Sequence, residues 1–138
     1  EKKKLILTDI LETPISPELL PPDKDGNIAQ KTENSIGSYI LHDFFLYHFL
    51  RYGTAPKKLY YLAKLSFPEY NKEEIIKCLK IFINRFFTQQ FKRNCLPDGV
   101  KVGSISLSPR GDLRLPSDLN YQSYLDEINK IESSEKYE

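Results

Sequence analysis

Between Phe91 and Asp118 the segment FKRNCLPDGVKVGSISLSPRGDLRLPSD carries the cations Lys92, Arg93, Lys101, Arg110 and Arg114. Arg and Lys bind phosphate or carboxylate. Pro97, Pro109 and Pro116, with Gly99, Gly103 and Gly111, interrupt any helical run and fix an irregular path. A basic segment of this kind, leading out of an apolar helix, predicts a loop held over something anionic. Asp112 between Arg110 and Arg114 gives the loop both signs of charge, which suits a zwitterionic or multiply charged substrate better than duplex DNA. Gly111 is expected to let the backbone approach such a ligand closely. Lys92 and Arg93 also have a plainer reading, as cations complementing the negative end of a helix dipole.

Little else in the sequence has catalytic spacing. There is no nucleophile with a neighbouring base, no readable pair of acid and base carboxylates and no Gly-rich phosphate loop. Cys78 and Cys95 have neither CxxC spacing nor a nearby histidine pair, so they read as two reduced thiols and not as zinc ligands. His42 and His48 are six residues apart, which on a helix is about 120° off a common face. They read as core or interface side chains. Arg110-Gly111-Asp112 spells the cell-adhesion tripeptide, a coincidence in a chain without a secretion signal.

The elements that must position the loop follow from periodicity. Lys4 to Leu11 has helical spacing and stops before Pro14, and 13–37, rich in Pro, Asp, Asn and Gly, reads as a long loop. Residues 38–52, SYILHDFFLYHFLRY, are apolar on nearly every side, which predicts a helix needing cover from a further domain or subunit. A second helix is expected from Pro56 to about Leu65. A third begins after Asn71, whose spacing to Glu74 is that of a capping box, and its stripe Ile75, Leu79, Phe82, Phe86 should deliver Gln90, Lys92 and Arg93 to its end. Val100, Val102, Ile105 and Leu107 suggest short extended pieces. Leu119 to Ile131 has helical spacing again, and the tail 132–138 should fray.

With 138 residues the chain fits one domain, and a formal charge of +1 gives no argument for a polyanionic partner. No apolar run reaches the roughly 18 to 20 residues that span a bilayer, and the basic start lacks a cleavage site, so a cytoplasmic protein without membrane or nucleic-acid partners is expected. The chain has no Met, which suggests a piece of something longer.

The stretches QKTENSIGSYILHDFFLYHFLRYG and FFTQQFKRNCLPDGVKVGSISLSPRGDLRLPSD resemble the C-terminal part of the synthetase domain of glutamine-dependent NAD synthetases, and TPISPELLPPDKDG and YLDEI are also similar to that family. The resemblance covers about Ile6 to Ile131. It implies a mostly α piece, 1–131, of an α/β, Rossmann-like domain of the adenine-nucleotide-hydrolase type. The implied reaction amidates nicotinic acid adenine dinucleotide to NAD. ATP, with Mg2+, adenylates the nicotinate carboxylate, pyrophosphate leaves, and ammonia attacks the acyl adenylate. A separate glutaminase domain with a Cys-Glu-Lys triad supplies the ammonia, and neither Cys78 nor Cys95 resembles its cysteine. A homo-oligomer is also implied.

Carried over by motif, Lys92 in QFKR matches a lysine that faces the phosphates of the reacting complex. Asp112 in SPRGD matches an acidic residue near the nicotinate and the incoming ammonia, where a carboxylate could hold ammonium or take its proton. Arg93, Arg110 and Arg114 would bind the anionic substrate or steady the loop, and Gln30, Lys31, Thr32 and Glu33 fall on a segment beside the dinucleotide. Leu113 stands where the family usually has Trp, Val100 where Pro is common, Asn34 where Asp is frequent and Ser38 where Pro is frequent. The Ser-Gly-Gly-x-Asp-Ser pyrophosphate loop, the magnesium ligands and the glutaminase domain have no counterpart here, so the chain alone is expected to be inactive. Two other readings stand beside this one: a helical interaction module using aromatic faces around Phe44 to Phe49 and Phe82 to Phe87, and a single-stranded nucleic-acid binder with interleaved cations and aromatics.

Overall fold

The computed structural model describes residues 2–13 and 32–134. The chain divides into two units, 1–37 and 38–138. In the first, α1 spans Lys2–Glu12 and α2 spans Thr32–Ile36. The expected loop over 13–37 therefore ends earlier than predicted. A single turn forms at Thr32, and Gly37, at φ 90°, closes it by donating its N–H to the Glu33 carbonyl at 2.8 Å. Residues 14–31 of that loop, with Gln30 and Lys31, lie outside the described residues.

The second unit holds α3 (Tyr39–Tyr52), α4 (Pro56–Ser66), α5 (Lys72–Thr88), α6 (Gln90–Asn94) and α7 (Gln122–Ser134), with no strand among the described residues. The apolar stripe of α5 makes it the central element, packed against α3, α4 and α7. Ile75, Leu79 and Ile83 are fully buried, with Phe82, Phe86 and Phe87 beside them. Asn71 and Glu74 form the predicted reciprocal cap: Asn71 Oδ1 accepts from the Glu74 N–H at 2.9 Å and Glu74 Oε2 from the Asn71 N–H at 3.0 Å. Pro56 opens α4 as expected, and Glu127 of α7 supplies an anionic cap there, accepting from the Lys57 N–H at 3.2 Å.

Helix α3 finds most of its cover inside the chain. Phe45 lies 5.8 Å from Phe82 and Phe49 lies 5.1 Å from Phe86, so the aromatic faces proposed for a partner-binding module meet one another and form the core. Only Ile40, Tyr47 and Tyr52 of its large apolar side chains stay exposed. Ser38 precedes α3 without capping it, because its Oγ accepts from the Tyr70 hydroxyl at 2.9 Å. His42 and His48 pack on aromatic rings, His42 beside Phe82 and His48 4.4 Å from Phe44, in keeping with a core or interface role. Cys78 and Cys95 are free thiols, one buried on α5 and one exposed after α6; burial pushes the Cys78 thiol up.

Helix α7 begins at Gln122, later than Leu119, and Tyr121 just before it stacks on Phe87 at 5.3 Å while its hydroxyl donates to Asn84 Oδ1 at 2.6 Å. The predicted frayed tail also starts later. Lys80 pairs with Glu132 at 2.7 Å, and the Ser133 and Ser134 hydroxyls donate to carbonyls of the preceding turn, which carries the helix to Ser134. No helix among the described residues is long and apolar enough to cross a membrane.

Candidate functional site

The basic segment does not continue α5. Thr88 Oγ1 donates back to the Asn84 carbonyl at 2.8 Å, a bond that competes with the helical ladder, and α5 ends there. The chain restarts as α6 at Gln90, whose side chain is 1% exposed and therefore needs polar partners. Asn94 Oδ1 accepts from its Nε2 at 2.9 Å, and Arg93 provides the donors to its oxygen. Its Nε and Nη2 donate to Gln90 Oε1 at 3.0 and 2.7 Å, and Nη2 also donates to the Phe86 carbonyl, one of the unpaired carbonyls at the end of α5. The guanidinium lies 4.7 Å from the centre of the Phe86 ring, and its burial pulls its pKa down. Arg93, predicted to bind substrate, is engaged in holding the α5–α6 break.

Lys92, one residue earlier, points away from this network. It is exposed, and its ammonium lies 6.0 Å from the centre of the Phe91 ring. A flexible ammonium of this kind can meet a phosphate without first breaking an ion pair.

The loop after α6 is irregular throughout. Val100 and Val102, expected in short extended pieces, are almost fully solvated at 92% and 96% exposed, because neither has a partner strand or a core to enter. Further on, Leu107, Leu113 and Leu115 pack against the core and fix the chain between them. There SLSPRGD folds on its own polar groups: the Ser108 N–H donates to Ser106 Oγ at 3.1 Å, the Arg110 N–H to Ser108 Oγ at 3.3 Å, and the Gly111 and Leu113 N–H groups to the Ser108 carbonyl at 3.1 and 3.3 Å. Gly111 is not forced by this geometry. Its φ is not positive, and an added Cβ would meet only the Ser108 carbonyl oxygen, at an ordinary 3.8 Å.

Asp112 is held at two points. Its Oδ2 accepts the Ser106 N–H at 2.8 Å and lies 2.7 Å from Lys101 Nζ. The Lys101 ammonium, then the Ser106 amide, holds this carboxyl below the usual carboxylate range. Lys101 and Asp112 are both substantially exposed, so their pairing is screened by water and exchanges readily.

Arg110 and Arg114 serve the loop itself. Arg110 donates to the Leu96 carbonyl and pairs with Asp98 at 3.3 Å, while Arg114 Nε donates to the Pro109 carbonyl at 3.3 Å. With Asn94 Nδ2 donating to Ser117 Oγ at 2.8 Å, these bonds tie the end of α6 to the SPRGD turn. Lys92 and Asp112 thus stand on two stretches that are clasped to each other. Thr32 and Glu33 open α2 in the N-terminal unit.

Sequence reasoning counted Lys101 only among the cations of an anion-facing loop and assigned no role to Asp98 or Ser106, and the fold makes all three partners within the loop. Their signal was weak: a charge or hydroxyl among many, with pairings set by a loop path that no periodicity encodes. It also missed a cleft of about 280 Å3 between α3 and the loop, lined by Asp43, Leu46, Leu50, Arg51, Gly103 and Ile105.

No protein-family model matches the chain. Its sequence is 40% identical over 149 aligned positions to the glutamine-dependent NAD(+) synthetase of Mycobacterium leprae, covering 94% of this chain and 22% of that protein. The glutamine-dependent NAD(+) synthetases of Mycobacterium bovis and Mycobacterium tuberculosis are each 38% identical to it with the same coverage. The resemblance read from the sequence is borne out along nearly the whole chain, which spans about a fifth of the length of these relatives.

Proposed function

We propose that the chain is a C-terminal portion, 1–131, of the synthetase domain of a glutamine-dependent NAD synthetase, a mostly helical part of a Rossmann-like α/β domain. The full protein would be a cytoplasmic carbon–nitrogen ligase that amidates nicotinic acid adenine dinucleotide with ATP and ammonia drawn from glutamine. One observation carries the reading: the 40% identity extends over 94% of the chain, including the clasped loop that presents Lys92 and Asp112.

In this reading Lys92 faces the phosphates, where its exposed ammonium offsets charge building on the adenylate and pyrophosphate. Asp112 holds the incoming nitrogen as ammonium by charge, or accepts a proton as ammonia adds to the acyl adenylate. Arg93, Arg110 and Arg114 contribute by fixing the backbone from which these two side chains project. Gln30, Lys31, Thr32 and Glu33 would contact the dinucleotide. Among the described residues no group of three His, Cys, Asp or Glu side chains could hold a metal ion, and the magnesium ligands are proposed to lie elsewhere in the full protein. The exposed Ile40, Tyr47 and Tyr52, with Arg51, have the composition of an interface core and favour a homo-oligomeric contact along α3.

The test is amidation by the full-length protein with either glutamine or free ammonia as nitrogen source. Lys92→Ala and Asp112→Ala should each depress both activities. Full ammonia-dependent turnover in either variant would remove that residue from the site.

A further inference from the structure

We propose that Lys101 is a positioning residue that occupies the ammonium place at Asp112, so that incoming ammonium reaches the carboxylate by displacing a built-in ammonium of the same chemistry. The inference rests on the proposed function only in taking Asp112 to be the group that meets ammonium.

The geometry is that of a substitute ligand. Lys101 Nζ is a primary ammonium, 2.7 Å from Asp112 Oδ2, at the distance of a charge-assisted hydrogen bond. The same oxygen accepts the Ser106 N–H at 2.8 Å, which holds the carboxylate in place whether or not the lysine is present. The other charged groups of the turn have partners of their own, Arg110 with Asp98 and Arg114 with the Pro109 carbonyl. Lys101 is thus the cation that neutralises Asp112 in this state. Its side chain is 47% exposed and sits among Val100, Val102 and Gly103, all exposed, so it can swing away on its four-carbon stem without disturbing the core. The exchange conserves charge at the site, since one ammonium leaves Oδ2 as another arrives.

A competitor within the chain makes a specific kinetic mark. If Lys101 holds Asp112 for about two-thirds of the time, the apparent affinity for ammonium is about threefold below the intrinsic one. Lys101→Gln in the full-length enzyme, assayed with ammonium chloride and no glutamine, should lower the KM for ammonium about threefold, the effect being carried by KM. Lys101→Arg, which keeps a cation on Asp112, should not lower it. An unchanged or higher KM in Lys101→Gln overturns the proposal. If instead Asp112→Asn keeps its ammonia-dependent turnover, the functional reading itself fails, whatever Lys101 does.

A measurement independent of activity closes the test. In the full-length enzyme, the 13C resonance of the Asp112 carboxylate is followed while ammonium chloride, or tetramethylammonium chloride at equal ionic strength, is added. The ammonium-specific shift should appear at lower concentration in Lys101→Gln than in the unmodified enzyme. Equal concentrations in both, or no ammonium-specific shift in either, would refute the exchange.

Discussion

Arg93 donates a hydrogen bond to the carbonyl of Phe86 while its guanidinium lies 4.7 Å from the centre of that residue's ring. One cation thereby braces the break after α5, satisfies the oxygen of the buried Gln90 and packs on the core. Arg93→Ala should destabilise the chain by about 1.5 to 3 kcal/mol, the range for hydrogen bonds to charged groups. Arg93→Lys should recover little, because an ammonium lacks the planar fork that reaches both acceptors. Denaturant unfolding of both variants decides the matter: midpoints equal to that of the parent would show that the guanidinium is dispensable.

Lys92 has the opposite profile. It is exposed, and among the described residues its ammonium makes no hydrogen bond or ion pair with the fold, so Lys92→Ala should leave the unfolding midpoint within about 0.5 kcal/mol of the parent. In the full-length protein the same change should reduce amidation by about 100-fold or more if the lysine meets charge developing in the transition state. Stability lost along with activity would assign it a structural role instead.

Asp112 gives the loop a pH dependence. Its folded pKa lies below the ordinary value of 3.8, because Lys101 and the Ser106 N–H favour the charged form. A depressed carboxyl pKa stabilises the fold above the unfolded pKa, and that contribution is lost as pH falls through the folded value. The Ser106 amide resonance should therefore hold its position down to about pH 4 and move only below it. Movement centred above pH 4 would contradict the pairing with Lys101.

The cap of α5 is a test of local energetics. Asn71→Ala removes the acceptor for the Glu74 N–H and should cost about 1 kcal/mol. In the core, Leu79→Ala at a fully buried position should cost about 2 to 5 kcal/mol. Thermal unfolding of the two variants should rank them in that order.

The helices were legible where periodicity and capping residues agreed. Asn71, Glu74 and Pro56 marked two starts because their roles depend on neighbours within one turn. The α5–α6 break was not legible, since it is decided by Thr88 bonding backward and by Arg93 folding onto Phe86, both compatible with a continuous helix by composition. The cations of the basic loop could be counted, but not sorted. Whether an arginine meets a ligand or its own backbone depends on carbonyls such as Leu96 and Pro109, which only a folded loop brings within reach.

Glu127 receives the Lys57 amide across 70 positions of chain, so the start of α4 is completed by the last helix to leave the sequence. Everything between them, the clasped loop included, is a closed circuit whose ends meet at that contact. We hypothesise that loosening α7 opens this circuit and costs the loop its order at the same time, making assembly of the Lys92 and Asp112 stretch a late event in folding. Native-state hydrogen exchange would reveal it: the Ser106 and Leu113 amides should lose protection together with α7 in a Glu127→Ala chain, and protection that persists in the loop would separate the two.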